Sequence, residues 1–222
     1  MNLDAVLKVG GSLSRGEGLE SLCREISRLG KQYRLLVVPG GGSFADQVRT
    51  AYARFRLSET AAHRMALSAM DQYAFMLSDL IPESFLATDL SSSGRAAGSG
   101  RVPVLLPSVP VINESPLPHS WQVTSDTISA WVAQSSNCRR LVLLKDVDGL
   151  FNDGRLNGSS PELMAKLTAD QLAGRSGGVD EYLSRFLASV DLETWVVNGL
   201  LPGRLAELLE KGHTTGTRIR RS

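Results

Sequence analysis

The chain has 222 residues, a length that suits one large α/β domain better than two independent ones. Hydrophobic residues make up 42%, charged residues 21%, and the net charge is +1, so bulk composition excludes an electrostatic nucleic-acid binder or a membrane-surface protein. Cys23 and Cys138 stand far apart without CxxC spacing, which excludes a disulfide framework and a cysteine zinc site and fits a reducing compartment.

In chain order, the first apolar run covers residues 5–9, short and continuous as expected of a strand buried on both faces. It ends in Lys8-Val9-Gly10-Gly11-Ser12, and a helix is predicted over 19–29. A second strand, 35–38, runs into Pro39-Gly40-Gly41-Gly42-Ser43, and a helix over 44–55 follows at once. Glycines after a strand are often only tight turns. Two such loops at the ends of strands that should be neighbours, one beside a lysine and one at a helix N-terminus, instead suggest exposed N–H groups aimed at an anion. Neither loop has the GxxxxGK[ST] or GxGxxG pattern.

A long helix is predicted over 59–80, apolar around most of its circumference, and is expected to carry a homo-oligomer interface with Met70 and Met76 in it. The small, polar stretch 91–100 reads as a loop, and 102–106 as a strand. Val123-Thr124-Ser125-Asp126-Thr127 opens a helix over 124–134, where Ser125 or Asp126 could serve as N-cap. The strand 141–144 leads into Lys145-Asp146-Val147-Asp148-Gly149-Leu150-Phe151, a turn that could frame a nucleotide base or form a hairpin. A loop-rich tract follows over 152–161, with Asp153-Gly154 as a turn. The remaining predicted elements are a strand over 194–197, a helix over 202–210 and a solvated basic tail over 218–221. Strands alternating with helices argue for a mainly parallel sheet covered by helices, with ligand loops along the edge where the strands end. His63, His119 and His213 are scattered without metal-ligand spacing, and a lone histidine on a helix such as His63 reads as structural or solvated. No leader or bilayer-spanning run is legible, so the cytoplasm is the expected compartment.

Taken together, KVGGS, VVPGGGS, TSDTISA, LLKDVDGLF, VVNGLLPGRL and Gly216-Thr217-Arg218-Ile219, in this order, resemble the amino acid kinase superfamily over nearly the whole chain. The resemblance implies an α/β fold, a three-layer αβα sandwich in a single domain over 1–222, with the acceptor on the N-terminal half and ATP on the C-terminal half. It implies catalytic roles for Lys8, at the transferring phosphoryl group, and for Asp126, which would hold Lys8 in position. Gly40, Gly41, Gly42 and Ser43 would bind the acceptor's anionic group. Gly10, Gly11 and Ser12 would line the phosphoryl site on the ATP side. Lys145, Asp146, Asp148, Gly149, Phe151, Asn198 and Gly199 would lie at the nucleotide. Mg²⁺ would arrive on ATP, without a dedicated protein metal site.

One departure narrows the acceptor. Carboxylate-phosphorylating members carry a second lysine shortly after a GGM motif, whereas here Gly177-Gly178-Val179-Asp180-Glu181 is followed by no nearby lysine. That favours the branches acting on phosphate monoesters, or a non-catalytic binding or storage member of the fold. Lys166, Arg175 and Arg185 stay open as replacements for the charge. Uridylate kinases have a different first loop, and isopentenyl phosphate kinases a histidine sooner after the second loop than His63. The stretch Ala62 to Tyr73 is most similar to the branch that phosphorylates [5-(aminomethyl)furan-3-yl]methyl phosphate in methanofuran-type biosynthesis.

Overall fold

The structure is a computed structural model, and it describes residues 3–152, 161–175 and 177–221. Its frame is one eight-stranded sheet: β1 (Ala5–Val9), β2 (Leu35–Pro39), β3 (Ser84–Ala87), β4 (Val102–Leu105), β5 (Arg140–Lys145), β6 (Lys166–Thr168), β7 (Glu193–Asn198) and β8 (Thr217–Arg220). The spatial order is β3-β4-β2-β1-β5-β7-β8-β6, and every pairing is parallel except β7 with β8. Chain order reverses at β1, which lies between β2 and β5. Open α/β sheets form their ligand crevice beyond the carboxyl ends of the strands at such a point.

Alternation along the strands divides the interior into two cores. Ala5, Leu7 and Val9 of β1 face one side, with Val142, Leu144, Trp195 and Val197. That side is covered by α1 (Leu19–Gly30), α9 (Arg204–Lys211) and the C-terminal part of α3 (Glu59–Leu80). Val6 faces the other side, with Leu141, Leu143 and Val196, beneath α6 (Ser125–Ser135) and α8 (Glu181–Ser189). The result is the three-layer αβα sandwich, and Lys8, two residues after Val6, is directed to the α6 side by the period of two.

The five predicted strands and five predicted helices are present, with ends that differ by a residue or two. The additional strands β3, β6 and β8 span four, three and four residues, too short for a periodicity signal. Residues 218–221 are therefore not a solvated tail: Arg218 and Arg220 sit on β8 and both pair with Glu193 of β7. The stretch read as a loop at 91–100 is instead largely helical, α4 (Leu90–Gly98). Asp89 caps it by accepting from the Ser92 N–H at 2.7 Å, and the small Ser93 and Ala97 bury against the sheet. Most of the loop-rich tract at 152–161 lies outside the described residues.

Besides α4 and α8, two helices had no sequence counterpart, α5 (Ser108–Glu114) and α7 (Ala169–Leu172), whereas α2 (Gly42–Phe55) was expected. Both new ones are short. The apolar circumference of α3 is partly satisfied within the chain, because Ala62, Leu67, Ala69, Met70, Tyr73, Ala74 and Leu77 are all buried. Met70 therefore belongs to the protein's own core and Met76 packs against it, while Met65 and Phe75 are left at the surface, 39% and 54% exposed. No helix among the described residues is long and apolar enough to cross a membrane.

Candidate active site

The carboxyl ends of β1, β2, β5 and β7 converge with the N-terminus of α6. Lys8, on β1, is only 4% exposed, and its Nζ lies 2.8 Å from Oδ1 of Asp126, in the first turn of α6. Lys145, at the end of β5, donates from Nζ to the other oxygen of the same carboxylate, also at 2.8 Å. One buried carboxylate thus separates two ammonium groups.

Burial works to raise the Asp126 pKa, but Lys145 and Lys8 together outweigh it and hold the carboxyl well below the usual range. Lys8 moves down: burial disfavours its charge most, Asp126 opposes that, and Lys145 adds to it. Counting Lys8, Lys145 and Asp126 alone, the centre keeps one uncompensated positive charge in a poorly solvated place. A phosphoryl oxygen arriving there would supply the missing counter-charge.

A second carboxylate supports the first. Asp180 accepts from the N–H groups of Thr124 and Thr127, at 2.9 and 3.0 Å, and from both of their hydroxyls. It also caps its own helix, α8, through Leu183 N–H. Asp180 therefore caps α6 from a distance, orienting the turn that carries Asp126. Burial raises its pKa, and the Asp126 charge adds to the rise. Sequence reading marked this stretch only for a missing lysine; Asp180 ahead of an apolar helical pattern was a legible cap for α8, but its bond across to α6 was not.

The two glycine loops touch. A Cβ on Gly11 would fall 2.1 Å from Gly42 N and 2.3 Å from its Cα, and Gly42 itself has φ +55. Only residues without side chains allow this contact. The amides of Gly10 and Gly40 are already engaged, donating to Leu144 O and Val9 O, so these two lock the loops to the sheet rather than offering N–H groups to a ligand. The buried Tyr73 hydroxyl donates to Gly10 O at 3.3 Å. Gly41 and Gly42 border a cavity of about 200 Å³ that Gly11 and Ser12 also line, while Ser43 follows in the first turn of α2. Its apolar wall includes Ala66, Leu67, Met70 and Ile128, and its polar wall Arg15, Asp46, Arg49, Glu59 and His63.

Arg15 and Arg49 both pair with Asp46, at 2.6 and 3.0 Å, and the Arg49 guanidinium lies 5.1 Å from the Trp121 ring centre. None of these four was singled out from sequence, since they come from three separate segments. His63 and His119, apparently unrelated in sequence, stack with ring centres 4.5 Å apart.

The remaining site candidates form the other side. Ser12 Oγ donates to Asp146 at 2.8 Å, bridging the first loop to the turn after β5. Asp148 accepts from Asn198 Nδ2 at 2.9 Å and Arg204 Nη1 at 2.7 Å, and these bonds, Asn198 first, hold its pKa down despite partial desolvation. Gly199 N–H donates to Lys145 O. Gly149 (φ +143) packs against Thr217, whose Oγ1 accepts from Leu150 N–H at 2.7 Å, and Phe151 is 44% exposed. Lys145 thus faces both groups of residues, though sequence placed it with the nucleotide alone. Of the three basic residues left open, Arg175 borders a cleft shared with Asp126 and Lys145, Lys166 lies on the edge strand β6, and Arg185 packs over the Tyr182 ring. No group of three or more His, Cys, Asp or Glu side chains suited to a metal occurs among the described residues.

Residues 5–193 match the family model of the Amino acid kinase family. The chain belongs to the amino acid kinase family. It is an ATP-dependent kinase of that family. A [5-(aminomethyl)furan-3-yl]methyl phosphate kinase of Methanocaldococcus jannaschii is 27% identical over 96% of each chain. A uridylate kinase of Thermococcus kodakarensis is 23% identical over 96% of this chain and 97% of its own. The crystal structure of a uridylate kinase from Archaeoglobus fulgidus superposes with a TM-score of 0.76, at 22% identity, covering 98% of this chain and 100% of that one. At that identity the superposition speaks for the fold alone.

Proposed function

We propose that this amino acid kinase transfers the γ-phosphoryl group of ATP to a phosphate monoester, giving a diphosphate, with [5-(aminomethyl)furan-3-yl]methyl phosphate as the acceptor. The observation that carries the reading is the pair of ammonium groups on Asp126, with Lys8 Nζ beside Gly10 of the first glycine loop. Phosphoryl transfer asks little covalent chemistry of a protein; it needs in-line positioning and positive charge around the equatorial oxygens. In this reading Lys8 and Lys145 meet the transferring group, and Asp126 fixes both. Lys145 supplies the second positive charge that the stretch after Gly177 lacks.

The acceptor occupies the cavity beside Gly41 and Gly42, where Arg15 and Arg49 favour an anion and Ala66, Leu67 and Met70 favour a compact apolar body. ATP occupies the side of Asp146, Asp148, Gly149, Phe151, Asn198 and Gly199. Mg²⁺ comes with the nucleotide and adds positive charge at the phosphates. A phosphate acceptor is already ionised, so no residue need remove a proton from it. We further read the protein as a single-domain cytoplasmic enzyme and a homo-oligomer, with Met65 and Phe75 of α3 in the contact.

The test is ATP turnover with the furan phosphate, uridylate, isopentenyl phosphate and N-acetylglutamate, with products followed by phosphorus NMR. A diphosphate formed fastest from the furan phosphate is expected. An acyl phosphate trapped by hydroxylamine, or uridylate as the best acceptor, overturns the assignment.

A further inference from the structure

The acceptor cavity is not uniformly anion-seeking, and this bears on the substrate proposed above. At the N-terminus of α3, Glu59 and His63 stand one turn apart and both line the cavity. His119, from the connection between α5 and α6, stacks on His63 with an interplanar angle of 18°, and its Nδ1 lies 3.1 Å from Thr60 Oγ1. Burial and then His119 lower the His63 pKa, and the positive end of the helix works in the same direction. Held low in this way, the His63 imidazole can accept a hydrogen bond beside the Glu59 carboxylate.

The charges on the facing elements differ. Arg49 and Asp46 come from α2 and Arg15 from the turn after β1, and Asp46 is held between the two guanidiniums. That wall carries a net positive charge and suits the acceptor's phosphate. The α3 corner suits a cationic donor at the acceptor's other end.

The geometry points to Glu59, with His63 beside it, as the determinant of acceptor specificity: the Glu59 carboxylate takes the ammonium of an acceptor that carries a phosphate on one ring arm and a primary amine on the other. This rests on the acceptor reading above, since [5-(aminomethyl)furan-3-yl]methyl phosphate has both groups and uridylate has no ammonium. No bond is made or broken by these residues.

The decisive comparison is between that acceptor and [5-methylfuran-3-yl]methyl phosphate, which lacks the amine, using the purified full chain with ATP. Wild type should favour the amine roughly ten-fold or more in acceptor KM, the size expected for a hydrogen bond to a charged group. Glu59→Gln should bring the two KM values within about two-fold of each other, by raising that of the amine-bearing acceptor alone. The wild-type preference should also shrink at acid pH, once His63, whose pKa is held below the ordinary imidazole value, gains a proton and repels the ammonium. The phosphate's own titration is common to both acceptors and cancels in the ratio. Because the wild-type comparison and its pH dependence need no variant, a misfolded Glu59→Gln does not decide the matter. If both furans are turned over equally well by wild type, or Glu59→Gln folds and keeps the preference, the specificity proposal is wrong and the furan assignment survives. If wild type phosphorylates neither, the furan assignment itself fails and the specificity proposal with it.

Discussion

Replacing Asp126 by Asn keeps the side-chain shape and removes the only charge between two ammonium groups 2.8 Å from it. The side chains of Asp126, Lys8 and Lys145 are 4%, 6% and 14% exposed, so water can do little to screen what remains. Breaking a buried pair by removing one partner costs roughly 3–5 kcal/mol. For a chain of this length that lowers Tm by roughly 6–20 °C. The pH dependence has a definite sign. In wild type the Asp126 pKa is lowered on folding, so its stabilisation is present above the unfolded value of about 3.9 and is lost as pH falls through the lower folded one. Lys8 has a lowered pKa too, so the folded state binds fewer protons, and stability rises with pH as Lys8 titrates. Without Asp126 the Lys8 pKa falls further, and deprotonation relieves the repulsion at a milder alkalinity. Differential scanning calorimetry from pH 7 to 10 should therefore show a large gap in Tm at pH 7 that narrows as pH rises. A variant within about 2 °C of wild type at pH 7, or a gap constant across the range, would refute the two-lysine electrostatics. In turnover, the alkaline limb should move to lower pH while no acidic limb appears or disappears, because Asp126 removes no proton.

Lys8→Ala should leave the fold intact, with Asp126 still held by Lys145, and lower kcat by roughly a hundred-fold or more; near-normal kcat removes Lys8 from the chemistry. Lys145→Met should lower kcat at least ten-fold or so with little change in the KM for ATP, whereas a raised KM at full kcat would return Lys145 to nucleotide binding alone. Gly42→Val, which forces a β-branched residue to φ +55 beside Gly11, should raise the acceptor KM far more than that for ATP; equal damage to both would show that this loop serves both ligands. Light scattering should give a mass above the 23.9 kDa monomer for wild type and monomer for the double variant Met65→Asp and Phe75→Asp, with helicity kept. Met70→Asp should instead unfold the chain, because it puts a charge in the protein's own core.

The long elements were legible because their residues repeat a pattern. Glu59–Leu80 is delimited by a Ser58 cap and by apolar positions over many turns, and both glycine loops stand directly after buried strands. What stayed hidden was of two kinds. Short elements such as β6 and β8 are fixed by pairing with distant residues, Lys166 with Arg218 for example, and three or four residues leave no periodicity of their own. Side-chain groupings such as Asp180 with Thr124 and Thr127, Arg15 with Asp46 and His63 with His119 join segments dozens of residues apart. The small residues of 91–100 misled in a third way: their composition resembles a loop, and a single cap at Asp89 with a sheet to bury against is enough to make them helical.

The position of β8 has a bearing on how the molecule is assembled. Thr217–Arg220 lies between β7 and β6, so β6, although synthesised some fifty residues earlier by the difference between 217 and 166, finds no partner in the sheet until this strand is in place. Thr217 also supplies the hydroxyl that holds the turn at Leu150. During synthesis β1, β2, β3 and β4 can pair as they leave the ribosome, and β5 and β7 can add beside β1, whereas β6 must wait for the strand at 217–220. Nascent chains stalled before that strand should resist protease through their first hundred residues or so and be cut readily after Lys145. The edge at β6 is thus the last part of the sheet to close.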